Sequence, residues 1–395
     1  MVNRMAMLCF LLLVWAGAHA QHAGHGADAA RAERVELAAS AAFDAQGVLW
    51  AVSKQGGHVM LRRSADAGKR WSVPQPVNAT PEGIGAEGDA RPKIAFGTQG
   101  EMYVTWTKPL SKPYTGDIRF ARSLDGGKTF GAPLTVHSDR QEITHRFDAL
   151  TVTRDGRLFI AWVDKRDMVA ASKAANYQGA AIYYAVSDNQ GATFRGDFKL
   201  ADHSCECCRI AMLPRDDGSV LALWRHVFEP NVRDHALGVM HADGRVGAVR
   251  RATFDEWAVD ICPHHGPSLA ADSEGRLHAV WFTQGANRSG VFYGRLRLSG
   301  EGGVDALRRV GGEAAAHADL VITGKRVVVV WKEFDGTRSR LRAMISDNGG
   351  DTWRERDLFA TAGASDQPRA LEHAGRIYAF WNTQREGFVT TWVMP

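Results

Sequence analysis

The sequence predicts an all-β fold, a seven-bladed β-propeller, and three observations carry that prediction. A hairpin pattern ending in Trp recurs seven times between about residue 35 and the C-terminus. Each recurrence is followed by a third apolar segment and, in most units, a short fourth one. The repeat length, roughly 50 to 60 residues, is that of a four-stranded blade in a radial array. A six-bladed ring is the alternative count, and a pair of β-sandwiches the alternative topology.

The units follow in order. The first, residues 47–50, fits loosely, its Trp50 arriving three residues early. Residues 100–106, 156–162, 218–224, 275–281 and 375–381 share one spacing from Gly to Trp, and residues 324–331 are longer by one. A Gly turn followed by alternating apolar residues reads as one arm of a hairpin in a half-buried sheet. Residues 118–122 and 181–186 read as third strands, and residues 133–136 as a fourth. The last unit has no fourth strand of its own. Residues 33–37 are expected to supply it and so close the ring between the two ends.

The first 20 residues read as a signal peptide: Arg4, an apolar run over residues 5–16, and the small-x-small site Ala18-His19-Ala20. The run is too short to span a bilayer, and no later stretch is long enough. The expected location is therefore the periplasm, with the extracellular space as the alternative. Residues 21–34 read as a flexible tail carrying His22 and His25, and residues 35–395 as a single propeller domain. The chain holds 48 Lys and Arg against 44 Asp and Glu, a net charge of +4 spread without runs. A nucleic-acid partner requires clustered positive charge, so that class is excluded.

The turn after the third strand carries a motif. Ser123, Asp125, Gly127, Thr129 and Phe130 repeat as Ser187, Asn189, Gly191, Thr193 and Phe194, and again as Ser346, Asn348, Gly350, Thr352 and Trp353. Ser64, Asp66, Gly68 and Trp71 form a fourth copy with Arg70 at the Thr position. The short polar side chain bonds its own turn, Gly takes a backbone that other residues resist, and the aromatic packs back onto the sheet. The pattern resembles the Asp-box of the sialidase superfamily, over residues 36–395. The resemblance implies a propeller of that kind, and its boxes imply nothing about activity.

Counting back from each Trp places equivalent residues at one rim of the ring. Seventeen residues before Trp162, Trp224 and Trp281 stand His145, Cys207 and His264, followed by Arg146, Cys208 and His265. His317 falls close to the same level in the sixth unit. After leader removal the cysteines are Cys205, Cys207, Cys208 and Cys262, too few for a disulfide framework and three of them within four residues. Thiolate and imidazole are donors for copper and zinc, with thiolates favouring Cu(I) and Zn. The sequence therefore predicts a transition-metal site, copper first and zinc second, at Cys205, Cys207, Cys208, Cys262, His264 and His265. His145, His203 and His317 are its outer candidates. A dithiol there can also exchange with disulfides or reduce bound Cu(II), an oxidoreductase type of chemistry. One or two plain disulfides between adjacent blades, joining Cys205 or Cys207 to Cys262, are the competing reading. A periplasmic protein is the other partner class.

The resemblance implies a second function, a sialidase-like exo-glycoside hydrolase. It requires three arginines around a substrate carboxylate, a Tyr nucleophile activated by Glu, and an acid. Arg91, Arg209 and Arg369, with Arg146 beside them, are the ligand-binding candidates. The family's Arg-Ile-Pro element is replaced by Arg91-Pro92-Lys93, Tyr378 lies inside a hairpin, and Glu229 and Glu333 are acids without an evident Tyr. A non-catalytic propeller that binds proteins or glycans is the third reading.

Overall fold

The computed structural model describes residues 36–171, 177–260, 263–298 and 302–394. The leader and the tail, with His22 and His25, lie outside these residues, as does Cys262. Residues 36–395 form one compact unit. Its strands make seven sheets whose members follow chain order.

Blade one comprises β1 (Ala39–Phe43), β2 (Leu49–Gln55), β3 (His58–Ser64) and β4 (Gln75–Pro76). Blade two comprises β5 (Lys93–Phe96), β6 (Met102–Pro109), β7 (Gly116–Ser123) and β8 (Leu134–Thr135). Blade three holds β9 (His145–Val152), β10 (Leu158–Asp164), β11 (Ala180–Ser187) and β12 (Arg195–Ser204), with α1 (Arg166–Ala170) between β10 and β11. Blade four holds β13 (Ala211–Pro214), β14 (Val220–Arg225), β15 (His235–Met240) and β16 (Arg250–Arg251). Blade five is β17 (Ser268–Ala271), β18 (Leu277–Gln284), β19 (Ser289–Leu296) and β20 (Val304–Val310). Blade six is β21 (Ala315–Thr323), β22 (Arg326–Phe334), β23 (Ser339–Ser346) and β24 (Arg354–Thr361). Blade seven has three strands, β25 (Arg369–His373), β26 (Arg376–Thr383) and β27 (Gly387–Trp392).

The second strands are the most apolar, and β10 is buried at every position. Each lies in a sheet covered on both faces by neighbouring blades, so both sets of alternating side chains leave water. The apolar side chains gather accordingly into clusters that bridge adjacent blades. One joins Trp50, Val52 and Leu61 to Val104 and Trp106, and another joins Val328 and Val330 to Ile377 and Trp381. The repeat tryptophans from Trp106 onward are among the largest fully buried side chains.

The four box-like turns are built alike. Ser64, Ser123, Ser187 and Ser346 each accept, at Oγ, the N–H of the Gly four residues on, at 2.7–2.9 Å. The Asp or Asn Oδ1 accepts a second turn N–H at 2.9–3.0 Å. Gly191 has φ +75° and Gly350 φ +90°, and a Cβ there would collide with Phe120 and Tyr293 of the preceding blade. The turn glycine is thus required twice, by conformation and by contact. Phe194 packs edge-on against that Phe120 at 5.0 Å, and Trp353 against Tyr293 at 4.7 Å.

Ring closure differs from the expectation. Glu36 and Leu37 belong to no strand, and residues 33–35 lie outside the described residues. The Leu37 carbonyl is instead held by Asn382 Nδ2 at 2.8 Å, and β1 begins two residues later, inside blade one. Blades seven and one join through side chains: Phe380 packs with Ala39, Ala41, Leu49 and Ala51. Arg91, Asp366 and the Ala39 backbone complete the seam.

Candidate functional site

Strand register fixes which residues share a level at the rim. Ala149, Ala211 and Ser268 each pair with the residue preceding a repeat Trp. Three residues before them stand Arg146, Cys208 and His265, as the count from Trp predicts. Asp319 holds the same register position in blade six. His317, two residues before it, therefore falls one step deeper, level with Arg209.

The sulfurs do come together. The Sγ atoms of Cys205, Cys207 and Cys208 lie within 4.8 Å of one another, all buried. The segment linking β12 to β13 is pinned by the Cys205 N–H to the Arg225 carbonyl at 2.9 Å and by Val227 N–H to His203 at 2.7 Å. Two residues between β10 and β11 lie against it: Lys165 pairs with Glu206, and Tyr177 Oη donates to Asp202 at 2.9 Å.

Their chemistry is not uniform. Cys207 is disulfide-bonded, to a partner outside the described residues. It offers no thiolate to a metal, which removes it from the expected donor set in this state. Cys205 and Cys208 are not in disulfides, and their Sγ atoms lie 3.4 Å apart. The Cys208 S–H donates to Cys205 and, with the nearby Arg225 and Arg233 guanidiniums, holds the Cys205 thiol well below its ordinary range despite burial. Arg233 Nη1 lies 3.7 Å from that sulfur. Cys208 is driven upward by the same bond and by burial. The bond and the arginines thus favour the thiolate at Cys205 and the retained proton at Cys208.

The imidazoles gather elsewhere, which corrects the single mixed Cys/His centre. Among the described residues none joins the sulfur group. His265 stacks between Phe282 at 4.1 Å and His317 at 4.2 Å. Burial pushes His265 down to about 3 and His317 well below the usual range, so both are neutral. His203, in a left-handed backbone (φ 56°), packs on Tyr177 and donates from Nδ1 to the Gln178 carbonyl at 3.1 Å. His264 is also left-handed (φ 53°) in the segment before β17. His145 stacks on His137 at the junction of blades two and three.

The arginines converge, and each already has a use. Arg91 is fully buried and bonds both oxygens of Asp366, at 2.8 and 2.9 Å. Arg209 and Arg369 each approach Asp89 at 3.6 Å and Asp319 at 3.9 Å. Burial works against the Asp89 carboxylate, but Arg209, Arg369, Arg91 and Lys93 together hold its pKa below normal. Arg146 lies with its guanidinium 5.0 Å over the Phe147 ring. Of the tyrosines, Tyr378, in the seventh-blade hairpin, packs on Phe43 and Tyr177 is engaged by Asp202, whereas the charges of Tyr114 and Glu87 act on Arg146. Glu333 is taken up by Trp331 Nε1 and Arg342.

Two features escaped the reading of the sequence. Trp162 and Trp331 donate their indole N–H to the acid two residues on, Asp164 and Glu333, at 2.8–2.9 Å. In blade four that place is held by His226, and neither Trp224 Nε1 nor His226 Nδ1 has a partner. The Trp-x-[Asp/Glu] spacing carried this signal in blades three and six, whereas Trp106 and Trp281 reach the more distant Glu82 and Asp255. The carboxylates around His145 come from three other segments and leave no local spacing to read. A broad open recess lies at the opposite, hairpin end of blades three and four, lined by Asp155, Arg157, Asp188, Arg195, Asp217 and Arg245. Its charges pair mainly with one another, and no candidate residue reaches it.

No protein-family profile matches the chain, and no curated protein matches it in sequence. Solved structures do match in fold. A polysaccharide lyase family 25 ulvan lyase, bound to a glucuronate–sulfated rhamnose unit, aligns over 89% of this chain and 91% of its own at TM-score 0.56 and 9% identity. A Hadza microbial sialidase aligns over 86% and 73% at TM-score 0.52 and 12% identity. The α-L-arabinanase of Penicillium chrysogenum, complexed with arabinobiose, aligns over 77% and 92% at TM-score 0.51 and 14% identity. The architecture is that of the sialidase-like seven-bladed β-propellers.

Proposed function

We propose that this propeller handles a soft metal ion, Cu(I), through the Cys205–Cys208 dithiol at its mouth. The observation that carries the reading is the pair itself: two unoxidised sulfurs 3.4 Å apart, one held as thiolate by its neighbour and by arginine. Thiolates select Cu(I), and a site of sulfur alone favours that ion over Cu(II), which prefers nitrogen and oxygen donors. Zinc is the weaker fit, since structural zinc takes four ligands and two are offered here. The Cys207 disulfide, within 4.8 Å of both thiols, adds an exchange step. Attack by the Cys205 thiolate on Cys207 Sγ forms a Cys205–Cys207 bond and releases the former partner as a thiolate, with no net electron transfer. The leader read at residues 1–20 would place this chemistry in the periplasm, where a protein partner supplies or receives the ion.

Anaerobic titration with Cu(I) against a chromophoric chelator tests the proposal. One equivalent should bind, be lost in Cys205→Ser and in Cys208→Ser, and persist in Cys207→Ser. Unchanged stoichiometry in the first two variants would overturn it.

A second reading, action on an acidic glycan, draws on the convergence of Arg209 and Arg369 at Asp89 and on the lyase and sialidase likeness. Release of sialic acid from a fluorogenic substrate, abolished by Arg369→Ala, would establish it.

A further inference from the structure

A second concentration of ligand-type side chains lies where blades two and three meet, apart from the sulfur cluster. His145 opens β9, Asp117 stands on β7, and His137 and Asp139 follow β8. The two imidazole rings stack at 3.9 Å and 13°, and neither is exposed. Their hydrogen bonds separate their roles. His137 donates from Nδ1 to the Asp139 carbonyl at 2.6 Å and accepts the Ile118 N–H at Nε2, so both nitrogens are used. His145 Nδ1 faces the Gly116 carbonyl at 3.1 Å and must carry the proton there.

That leaves His145 Nε2, which is buried without a hydrogen-bond partner and points into carboxylates. Asp139 Oδ1 and Asp164 Oδ2 each lie 3.7 Å away, and an Asp117 oxygen lies within 4.8 Å of a ring nitrogen of His145 and of His137. An imidazole lone pair facing acidic oxygens in a buried space is repulsive unless a positive species stands between them. Arg166 compensates part of the charge, bonding Asp164 at 2.7 Å and Asp197 at 2.8 Å. It reaches Asp139 only at 3.8 Å. Separations of 3.7 Å are too long for hydrogen bonds. They are close to what two donors span on one cation, since metal–donor bonds of about 2.0–2.2 Å set donors roughly 3–3.5 Å apart.

We propose that His145 Nε2, Asp139 and Asp117 bind a divalent cation of the zinc class. Imidazole with carboxylate suits Zn(II), Co(II) and Mn(II), whereas the thiol pair suits Cu(I), so the two sites take different ions. Asp164, fixed by Trp162 Nε1 at 2.8 Å and by Arg166, borders the site and completes its charge. His137 backs the His145 ring without ligating. Asp117 and Asp139 side chains are 19% and 11% exposed, which leaves the ion a way in from solvent.

The test uses the full chain with Cys205→Ser and Cys208→Ser, which removes the thiol site. Calorimetric titration with Zn(II) should give one equivalent. Titration with Co(II) should give d–d absorption without a sulfur charge-transfer band. His145→Gln and Asp139→Asn should each weaken binding at least tenfold, with circular dichroism and melting reporting the fold. Should His145→Gln fail to fold, the partly exposed Asp117→Asn supplies the same comparison. No Zn(II) or Co(II) uptake, or uptake unchanged in these variants, overturns the proposal. So does an NMR spectrum in which His145 is a doubly protonated imidazolium that ignores added Zn(II), because the cation is then a proton.

Discussion

Arg91 shows how one residue at the mouth can serve architecture instead of a ligand. Its guanidinium donates to Asp366 through two bonds, to the Ala39 carbonyl at 2.7 Å and to the Gly88 carbonyl at 2.7 Å. Blades two, one and seven meet in that single group, beside the blade that has three strands among the described residues. Burial pushes Arg91 down to about 10 and Asp366 upward, both toward neutrality, yet the bidentate geometry is that of an ion pair. Removing one partner from such a pair leaves an uncompensated buried charge, whereas replacing both with apolar groups often costs little. Arg91→Ala is therefore expected to destabilise the protein by about 3–5 kcal/mol. Arg91→Met combined with Asp366→Leu should recover most of that loss. Urea unfolding of the three proteins measures both, and equal losses in the single and double variants would assign the cost to packing alone.

At the scale of an element, the segment between β16 and β17 carries a different compromise. Asp255 accepts the Trp281 indole N–H at 2.8 Å and so ties this segment to the second strand of blade five. Burial, helped by Asp234 nearby, pushes its carboxyl up to about 6. The folded form thus holds a proton more tightly than the unfolded chain, whose carboxyl titrates near 3.8. Native protein binds more protons than unfolded protein between about pH 4 and 6, so this group's contribution falls as pH rises through that window. Asp255→Asn keeps an acceptor for Trp281 and removes the buried charge. It should raise stability by about 1–2 kcal/mol at pH 8 and leave it unchanged below pH 4. Urea midpoints at the two pH values check the sign, and a loss at pH 8 would show that the Arg288 contact at 3.2 Å outweighs burial.

Across the whole molecule, what could be read in the sequence was whatever repeats. Seven hairpins are legible because each second strand must bury both faces, and that constraint writes the same apolar run seven times. The level of Cys208 and His265 follows from counting within those runs. Side-chain direction does not, and it decides that the sulfurs meet one another while His265 turns to His317 and Phe282. Closure of the ring was misread because Leu37 bonds Asn382 and runs directly into β1, a choice made by one side chain with no periodicity. The carboxylates at His145 arrive from β7, from the segment after β8 and from the end of β10, so no window of sequence contains them. The imidazoles, once placed, set the response of the fold to acid. Burial, the largest cause in each case, holds His137 and His265 down to about 3 and His226 to about 4, and His235 and His317 well below normal. In the unfolded chain these rings take protons near 6.5, whereas in the native protein they stay neutral until far lower pH. The unfolded state then binds more protons, and stability, complete above about pH 6.5, is lost as pH falls toward 3–4. Each ring contributes up to about 1.4 kcal/mol per pH unit across its window, and several acting together outweigh the opposite trend of Asp255 and Asp366. Circular dichroism should record cooperative unfolding between about pH 6 and 4. Exchanging His317 for Leu and His265 for Phe, which preserves the stack on Phe282, should shift that transition to lower pH; a transition unmoved in both would mean that the rings are solvated before the fold opens.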